Sequence, residues 1–359
     1  MELTSLDVAS VRNLSQLHIE PSAGINVIYG DNGAGKTSLL EAISILATGK
    51  SFRSGRIETI ISSGSDELLV RALLNNDERN EPVALGISRS KEKTKVRVDG
   101  LDIKRLSELA SNLPCIAISA RNHELIEGGP GERRSFIDWI TFHVEQSYID
   151  ITKRYRNALQ QRNAAIRSGA GTSLITSWDK ELVTAGEQIT NHRQVVIREF
   201  ISYFEKLTSN FPVELKPQFV YRQGWSENLS LQDALTQSLD HSRRLGTTTA
   251  GPHRADIKIR LSQHEARYVN SRGQQKLLAV LMKLVQIELF KSHRGQTPIL
   301  LFDDPPSELD LQAQKFVFSF LKKSGVQVFL TSVDDVSEEI QNVSTRFHVE
   351  RGVFKKVLY

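Results

Sequence analysis

The sequence predicts an α/β fold interrupted by a helical insertion, and three observations carry that reading. An apolar run, Ile25-Asn-Val-Ile-Tyr29, feeds a glycine-rich turn and then a helical pattern, the order expected of a parallel sheet. A second apolar run, Pro298-Ile-Leu-Leu-Phe302, ends in Asp303-Asp304 and lies between two more helical patterns. Between the two halves the texture changes to long helices. The expected organisation is a first α/β part over 1–120, a helical lobe over 121–210 and a second α/β part over 211–359.

Taken in order, the first thirty residues alternate around Leu3, Leu6, Val8, Val11 and Leu14 before the strand at Ile25. Apolar positions over Thr37–Leu46 recur at helical spacing. Glu67–Leu74, Val83–Ser88 and Thr94–Val98 read as antiparallel strands, with Asp99-Gly100 as a hairpin turn. Pro114–Ser119 reads as a short buried strand. One long helix is expected over Ser135–Gln161 and another over Leu174–Leu207, joined through the turn Ser168-Gly-Ala-Gly-Thr172. The second helix places Trp178, Leu182, Ala185, Ile189, Val196, Phe200, Tyr203 and Leu207 on one stripe, the pattern of core packing. Strands are expected at Val213–Tyr221 and Asp256–Leu261, then helix Gln274–Phe290, helix Leu311–Lys323 and strand Val326–Thr331.

Composition excludes several classes. At 39% hydrophobic and 25% charged, the 359 residues are those of a globular chain. Cys115 is the only cysteine, which rules out an intramolecular disulfide or a cysteine-held metal cluster and suits a reducing compartment. Lys and Arg number 46 against 42 acids, a mild excess of +4 that permits an anionic partner without requiring one. The first twenty residues carry neither a basic nor an apolar leader segment. The longest apolar stretches, such as Leu277–Met282, are far short of a membrane span. A soluble, cytoplasmic protein with no membrane partner is expected.

Gly30-Asp31-Asn32-Gly33-Ala34-Gly35-Lys36-Thr37 matches the spacing of a phosphate-binding loop, and it sits between a predicted strand and a predicted helix. Glycines let successive backbone N–H groups turn toward phosphates, and the helix start that follows, with Ser38, adds a favourable dipole. Lys36 is expected to reach the β- and γ-phosphates of a nucleotide, and the Thr37 hydroxyl to ligate Mg²⁺. A strand-end carboxylate beside that loop, Asp303, can hold Mg²⁺ through water, while Asp304 can polarise the attacking water. Asn270-Ser271-Arg272-Gly273-Gln274 stands at a helix start, where Ser271 and Gly273 would offer N–H donors to a γ-phosphate.

Together, the phosphate loop, the degenerate Ser-x-Gly-Gln signature and the apolar strand ending Asp303-Asp304 before Ser307-Glu-Leu-Asp310 resemble ABC-type ATPases of the SMC kind. The interval from Lys36 to Gly273 has room for a compact helical lobe but none for a long coiled coil. More closely, the chain resembles the RecF family of bacterial recombination mediators along most of its length. The strings that carry this include Val11-Arg-Asn13, Gly49-Lys-Ser-Phe-Arg53, Gly129-Pro-Gly-Glu-Arg-Arg134, Phe136-Ile-Asp-Trp139, Gln161-Arg-Asn163, Trp178-Asp-Lys-Glu-Leu182 and Gly251-Pro-His-Arg-Ala-Asp256.

The resemblance implies an ABC-type, SMC-like P-loop ATPase head with an inserted helical lobe, acting in DNA replication and in recombinational repair of DNA damage. It implies ATP-dependent homodimerisation, binding of double-stranded and gapped DNA, slow DNA-stimulated ATP hydrolysis, and work with RecR and RecO to load RecA. Carried over, Gly30–Ser38 bind the nucleotide, Asp303 is the metal-side acid, Ser271, Gly273 and Gln274 cap the partner copy's γ-phosphate, and Asp310 lies in a loop at the dimer interface. Three departures stand out: Asn270 before the signature serine, Pro305-Pro306 after the acids, and no proline near Ile118-Ser-Ala-Arg-Asn122. They bear on hydrolysis and its coupling to DNA more than on ATP binding. An alternative keeps the ATP gate but makes the protein a recruitment module in which hydrolysis is dispensable. A transporter nucleotide-binding subunit is disfavoured, because Leu330-Thr-Ser332 stands where such subunits carry a histidine.

For DNA contact, Lys153, Arg154, Arg156, Arg162 and Arg167 add five positive charges over Ile151–Ser168 with no acid among them. On a helix this is either a salt-sensitive phosphate-binding face or an ordinary solvated one. Arg133, Arg134 and Arg53 are further candidates; Arg53, soon after the phosphate-loop helix, could serve nucleotide or DNA, or simply be a helix C-terminal cation. No base-reading fingerprint is present, so sequence-specific recognition is not expected.

Overall fold

The computed structural model describes residues 1–75, 81–209, 211, 216–261, 264–269, 271–305, 309–334 and 344–357. The chain divides into two compact units, one made of Met1–Asn122 with Lys276–Tyr359, the other of His123–Gln275.

The first unit begins with β1 (Glu2–Val11), β2 (Leu14–Ile19), β3 (Ile25–Tyr29), α1 (Lys36–Thr48) and β4 (Glu67–Asn75). It continues with β5 (Val83–Ser90), β6 (Thr94–Val98), β7 (Leu101–Ile103), α2 (Leu106–Asn112) and β8 (Cys115–Ile118). Its closing part, numbered after the second unit's elements, holds β12 (Ile299–Phe302), α12 (Leu311–Ser324), β13 (Val328–Ser332), β14 (Ser344–Glu350) and β15 (Val353–Val357). One sheet is antiparallel, in the order β2-β1-β4-β5-β6-β7; the other runs β15-β14-β3-β13-β12-β8 and is parallel except for β15.

Local chemistry explains the irregular points. Leu3, Leu6, Val8 and Val11 are all buried although their spacing is uneven. A bulge between Leu3 and Ser5, and a left-handed turn at Ser10 with φ of 58°, each shift the two-residue alternation by one. Asp99 and Gly100, with φ of 49° and 79°, close the predicted two-residue hairpin from Val98 to Leu101, the turn whose twist matches the strands. Helix α1 packs against strands of both sheets, so it is apolar nearly all round: Leu39, Leu40, Ala42, Ile43, Ile45, Leu46 and Ala47 are fully buried. It joins Leu6, Val70 and Leu85 of the antiparallel sheet to Leu301 and Phe329 of the parallel one in a single core.

The second unit is built from α3 (Glu124–Glu127), α4 (Pro130–Val144), α5 (Tyr148–Arg167), α6 (Thr172–Thr176) and α7 (Asp179–Thr208). Then come β9 (Pro217–Arg222), α8 (Leu231–Gln237), α9 (Leu239–Leu245), β10 (Asp256–Leu261), β11 (His264–Glu265) and α10 (Ala266–Val269). Helix α11 (Arg272–Arg294) starts here and continues into the first unit. The helix expected over Ser135–Gln161 is two helices. Glu145 breaks it in extended backbone, and its carboxylate accepts from the Ser147 amide and hydroxyl at 3.1 and 2.8 Å, competing with helix continuation. Of the stripe on α7, Leu182, Ala185, Ile189, Val196 and Phe200 are buried as expected, but its end shifts: Phe204 is buried where Tyr203 and Leu207 are half-exposed.

The unit also runs to Gln275 rather than ending with the long helices at 210. Leu231 and Leu235 of α8 share one core with Tyr148, Leu182 and Ile189. Phe219 of β9 stacks edge-on against Phe200 and Phe204 at 5.2 and 5.1 Å. The expected strand at Val213–Tyr221 begins at Pro217; residues 212–215 lie outside the described residues.

His253, in the Gly251-Pro-His-Arg turn, is structural in this setting. Its Nε2–H donates to the Thr248 carbonyl at 3.0 Å, and its Nδ1 accepts from the Tyr155 hydroxyl at 2.6 Å. The neutral ring thus satisfies both nitrogens. Burial, with Arg254, Arg134 and Arg162 nearby, pushes its pKa down to about 4, against the hydrogen bond to Thr248. The unfolded chain therefore binds a proton that the folded one refuses, and this unit should lose stability as pH falls from 6.5 towards 4. The loss is at most about 3 kcal/mol. Denaturant midpoints at pH 7.5 and 5 should show that decline, and His253→Gln should flatten it.

Candidate functional site

The carboxyl ends of β3, β8, β12 and β13 open on one cavity of about 550 Å³ in the first unit. This is the usual crevice of a parallel sheet. Strand β3 ends at Tyr29, and the loop Gly30–Gly35 then bends back into α1. Gly30, with φ of 145°, lies so close to β14 that an added Cβ would stand 2.3 Å from the Val349 carbonyl oxygen, so only glycine fits there. Gly35, with φ of 119°, turns the chain into α1 as its N-cap.

Lys36 is 8% exposed, and its Nζ donates to the carbonyls of Gly30 and Asp31 at 2.6 and 2.9 Å. Burial lowers its pKa, while Asp304, Asp303 and Asp31 oppose that shift and keep the ammonium supplied with countercharge. The Thr37 hydroxyl donates to Asp303 Oδ1 at 2.9 Å, as does the Thr331 hydroxyl at 2.8 Å. Thr331 Oγ1 in turn accepts from the Asp304 amide at 2.9 Å. Asp304 sits in the left-handed region with φ of 53°, a conformation costing about 1 kcal/mol that this hydrogen bond helps to hold. Hydroxyl and carboxylate oxygens at this spacing are donors that suit a magnesium ion sharing its shell with phosphates.

The structure thus brings Gly33, Gly35, Lys36, Thr37, Ser38, Asn32, Asp303 and Asp304 to one cavity. Asn13, Ser119, Arg121 and Thr331 line it too, and sequence reading had not singled them out as site residues. Asn13 donates to the Gly33 carbonyl at 3.0 Å and accepts from Ser38 Oγ at 2.8 Å, bracing the loop against its own helix. The string Val11-Arg-Asn13 was the available signal for it. Nothing in a lone threonine at Thr331 pointed to the acids.

The other expected nucleotide contacts form separate local groups. Ser271 and Gln274 make a capping box at the start of α11: Ser271 Oγ accepts from the Gln274 amide at 3.3 Å, and Gln274 Oε1 accepts from the Ser271 amide at 3.1 Å. Ser271, Gly273 and Gln274 are exposed. Asp310 caps α12 by accepting from the Ala313 amide at 2.8 Å, and it too is exposed. Asn270, Pro306 and Ser307 lie outside the described residues.

The expected basic face needs correction. Arg162 is fully buried, with Nε donating to Asp179 Oδ1 at 2.7 Å and Nη1 to Thr248 Oγ1 at 3.0 Å. Arg133 is 6% exposed and clamps Asp256 through Nε and Nη2 at 2.7 and 3.2 Å. Neither side chain is at the surface to meet a DNA phosphate, because acids distant in sequence claim them. Arg154 is exposed but paired with Glu181 at 2.6 Å. Arg134 is half-buried and donates to the Ala255 carbonyl at 2.9 Å. Lys153, Arg156 and Arg167 are exposed, as is Arg53, which lines the cavity.

The pattern of the RecF/RecN/SMC N-terminal domain matches residues 2–355. The chain is 35% identical over 357 residues to the DNA replication and repair protein RecF of Thioalkalivibrio sulfidiphilus, covering 99% of both chains. The chain belongs to the RecF family. A RecF of Pseudomonas paraeruginosa is 38% identical, over 98% of this chain and 97% of its own. Among solved structures, the recombination mediator protein RecF with ATP, of the RecFOR pathway, aligns over 99% of this chain with a TM-score of 0.88 and 26% identity. An SMC head bound to the winged-helix domain of ScpA aligns with a TM-score of 0.56 at 18% identity, which reflects the shared fold. The ABC-type, SMC-like head expected from sequence is therefore the fold of this RecF-family chain. Among its described residues no helix is long and apolar enough to cross a membrane.

Proposed function

We propose that this RecF-family chain binds Mg·ATP in the cavity at the head of the parallel sheet, pairs with a second copy across that nucleotide, and holds duplex or gapped DNA while so paired. The carrying observation is the buried Lys36 ammonium in a glycine cradle beside Thr37 and Asp303, joined by hydrogen bond. When a triphosphate enters, phosphate oxygens replace the Gly30 and Asp31 carbonyls as acceptors for Lys36, exchanging neutral hydrogen bonds for charge-assisted ones. Magnesium would be held by Thr37 and, through water, Asp303, and would supply charge neutralisation at the β- and γ-phosphates. Asp304 orients the attacking water for a slow hydrolysis that resets the clamp.

The exposed start of α11 supplies the Ser271 hydroxyl and the Gly273 amide as donors to the γ-phosphate held by the other copy, so the complete site requires two-fold pairing. DNA contact is electrostatic and independent of sequence. Lys153, Arg156, Arg167 and Arg53 are exposed for it, Arg154 contributing only by releasing Glu181. The role that fits is recombinational repair at gapped DNA in the cytoplasm, acting with RecR and RecO so that RecA is loaded. Support comes from the RecF relatives and from the RecF–ATP structure of the RecFOR pathway.

Sedimentation with Mg·ATP, with ADP and without nucleotide, each with and without gapped DNA, tests the reading. The wild type should double in mass only with Mg·ATP. Ser271→Arg should bind ATP within about twofold of wild type yet stay monomeric, since its site for its own nucleotide is intact. An unvarying monomer mass at saturating Mg·ATP would sink the two-copy site.

A further inference from the structure

We infer that Arg12, Glu41 and Ser51 form a strut that sets Arg53 at the nucleotide cavity, which makes Ser51 and Glu41 positioning residues for triphosphate binding; the inference rests on the reading of that cavity as an ATP site. Glu41 lies on α1, one turn beyond Thr37, and its side chain is 1% exposed on a helix otherwise buried by apolar residues. A carboxylate is kept in such a place only when charge and hydrogen bonds meet it. Here Arg12 donates to both oxygens, Nε to Oε2 at 3.0 Å and Nη2 to Oε1 at 2.8 Å. The Ser51 hydroxyl adds a third bond, to Oε1 at 2.6 Å.

The same Ser51 oxygen accepts from the backbone amides of Arg53 and Ser54 at 3.0 and 3.1 Å. Arg12 is itself fixed: it adopts φ of 56°, its amide donates to the Ile60 carbonyl at 2.7 Å, and its Nη1 donates to the Thr59 carbonyl. A continuous path therefore runs from the helix that carries Lys36 and Thr37, through Glu41 and Ser51, to the backbone of Arg53. Phe52 and Arg53 line the cavity together with Lys36 and Thr37. An apolar residue at position 41 would pack the core as well as its neighbours do. The charged triad adds what packing does not supply, a directional tie between the phosphate-loop helix and the segment that brings Arg53 to the cavity.

A double-mutant cycle on affinity for a fluorescent ATP analogue tests this. Arg53→Ala should weaken binding about tenfold, the size of one charge-assisted hydrogen bond lost. Ser51→Ala, which keeps Arg53 but frees its backbone, should weaken it about fivefold, and Ser51→Thr, which keeps the hydroxyl, should stay within about twofold of wild type. The double variant Ser51→Ala/Arg53→Ala should bind no more weakly than Arg53→Ala alone, since a positioning residue has no effect once its cargo is gone. Losses that multiply in the double variant, or a Ser51→Thr protein as weak as Ser51→Ala, would overturn the strut. A wild type that binds no better than Lys36→Met would instead overturn the ATP reading itself.

Discussion

Lys36→Met is expected to weaken ATP binding by about 100-fold or more while leaving the fold in place. The ammonium is the one cation of the glycine cradle buried within reach of the loop carbonyls, and its partners Gly30 and Asp31 are where phosphate oxygens would sit. Each charge-assisted hydrogen bond contributes about 1.5–3 kcal/mol, and a loss near 2.7 kcal/mol is a factor of about 100. Methionine at the first position of α1 keeps an unbranched stem of similar volume, so the helix start is preserved. Titration with a fluorescent ATP analogue measures the affinity, and a denaturant melt without nucleotide measures the fold. An affinity within threefold of wild type would show that the phosphates lie elsewhere.

Asp179→Ala should produce the largest loss of stability, about 3–5 kcal/mol, in the helical unit. It strands the Arg162 guanidinium, fully buried, with only Thr248 Oγ1 as a side-chain acceptor. The double variant Asp179→Ala/Arg162→Met should recover most of that loss, because removing both charges ends the desolvation cost that the single change exposes. Arg154→Ala makes the contrast: its pair with Glu181 is exposed on both sides, and the melting midpoint should not move. If the double variant is no more stable than Asp179→Ala, the buried pair is not what the single variant breaks.

These variants also separate what was readable in the chain from what was not. The cradle was legible because its chemistry is contiguous: Gly30, Gly33 and Gly35 are needed for backbone angles within one loop, and Lys36 and Thr37 follow at once. The break at Glu145 was not, because a helical pattern of apolar residues continues across it while one carboxylate turns the backbone out. Arg162 and Arg133 were misread as surface cations for a related reason. A local charge count sees five cations without an acid over 151–168, but Asp179 and Asp256 arrive from other elements.

By itself the sequence determined the α/β class, the phosphate loop, the strand-end acids and the RecF-family membership, since each is written in residues adjacent along the chain or in strings that follow one another in order. Only the tertiary structure decided which cations face solvent, that Thr331 ties the two acids together, that Asn13 braces the cradle, and that the helical unit extends to Gln275. The physical reason is that burial and hydrogen-bond partnership are relations between distant segments. A side chain's charge is a property of the residue, but whether that charge is spent in the core or offered to a ligand depends on what the fold packs against it.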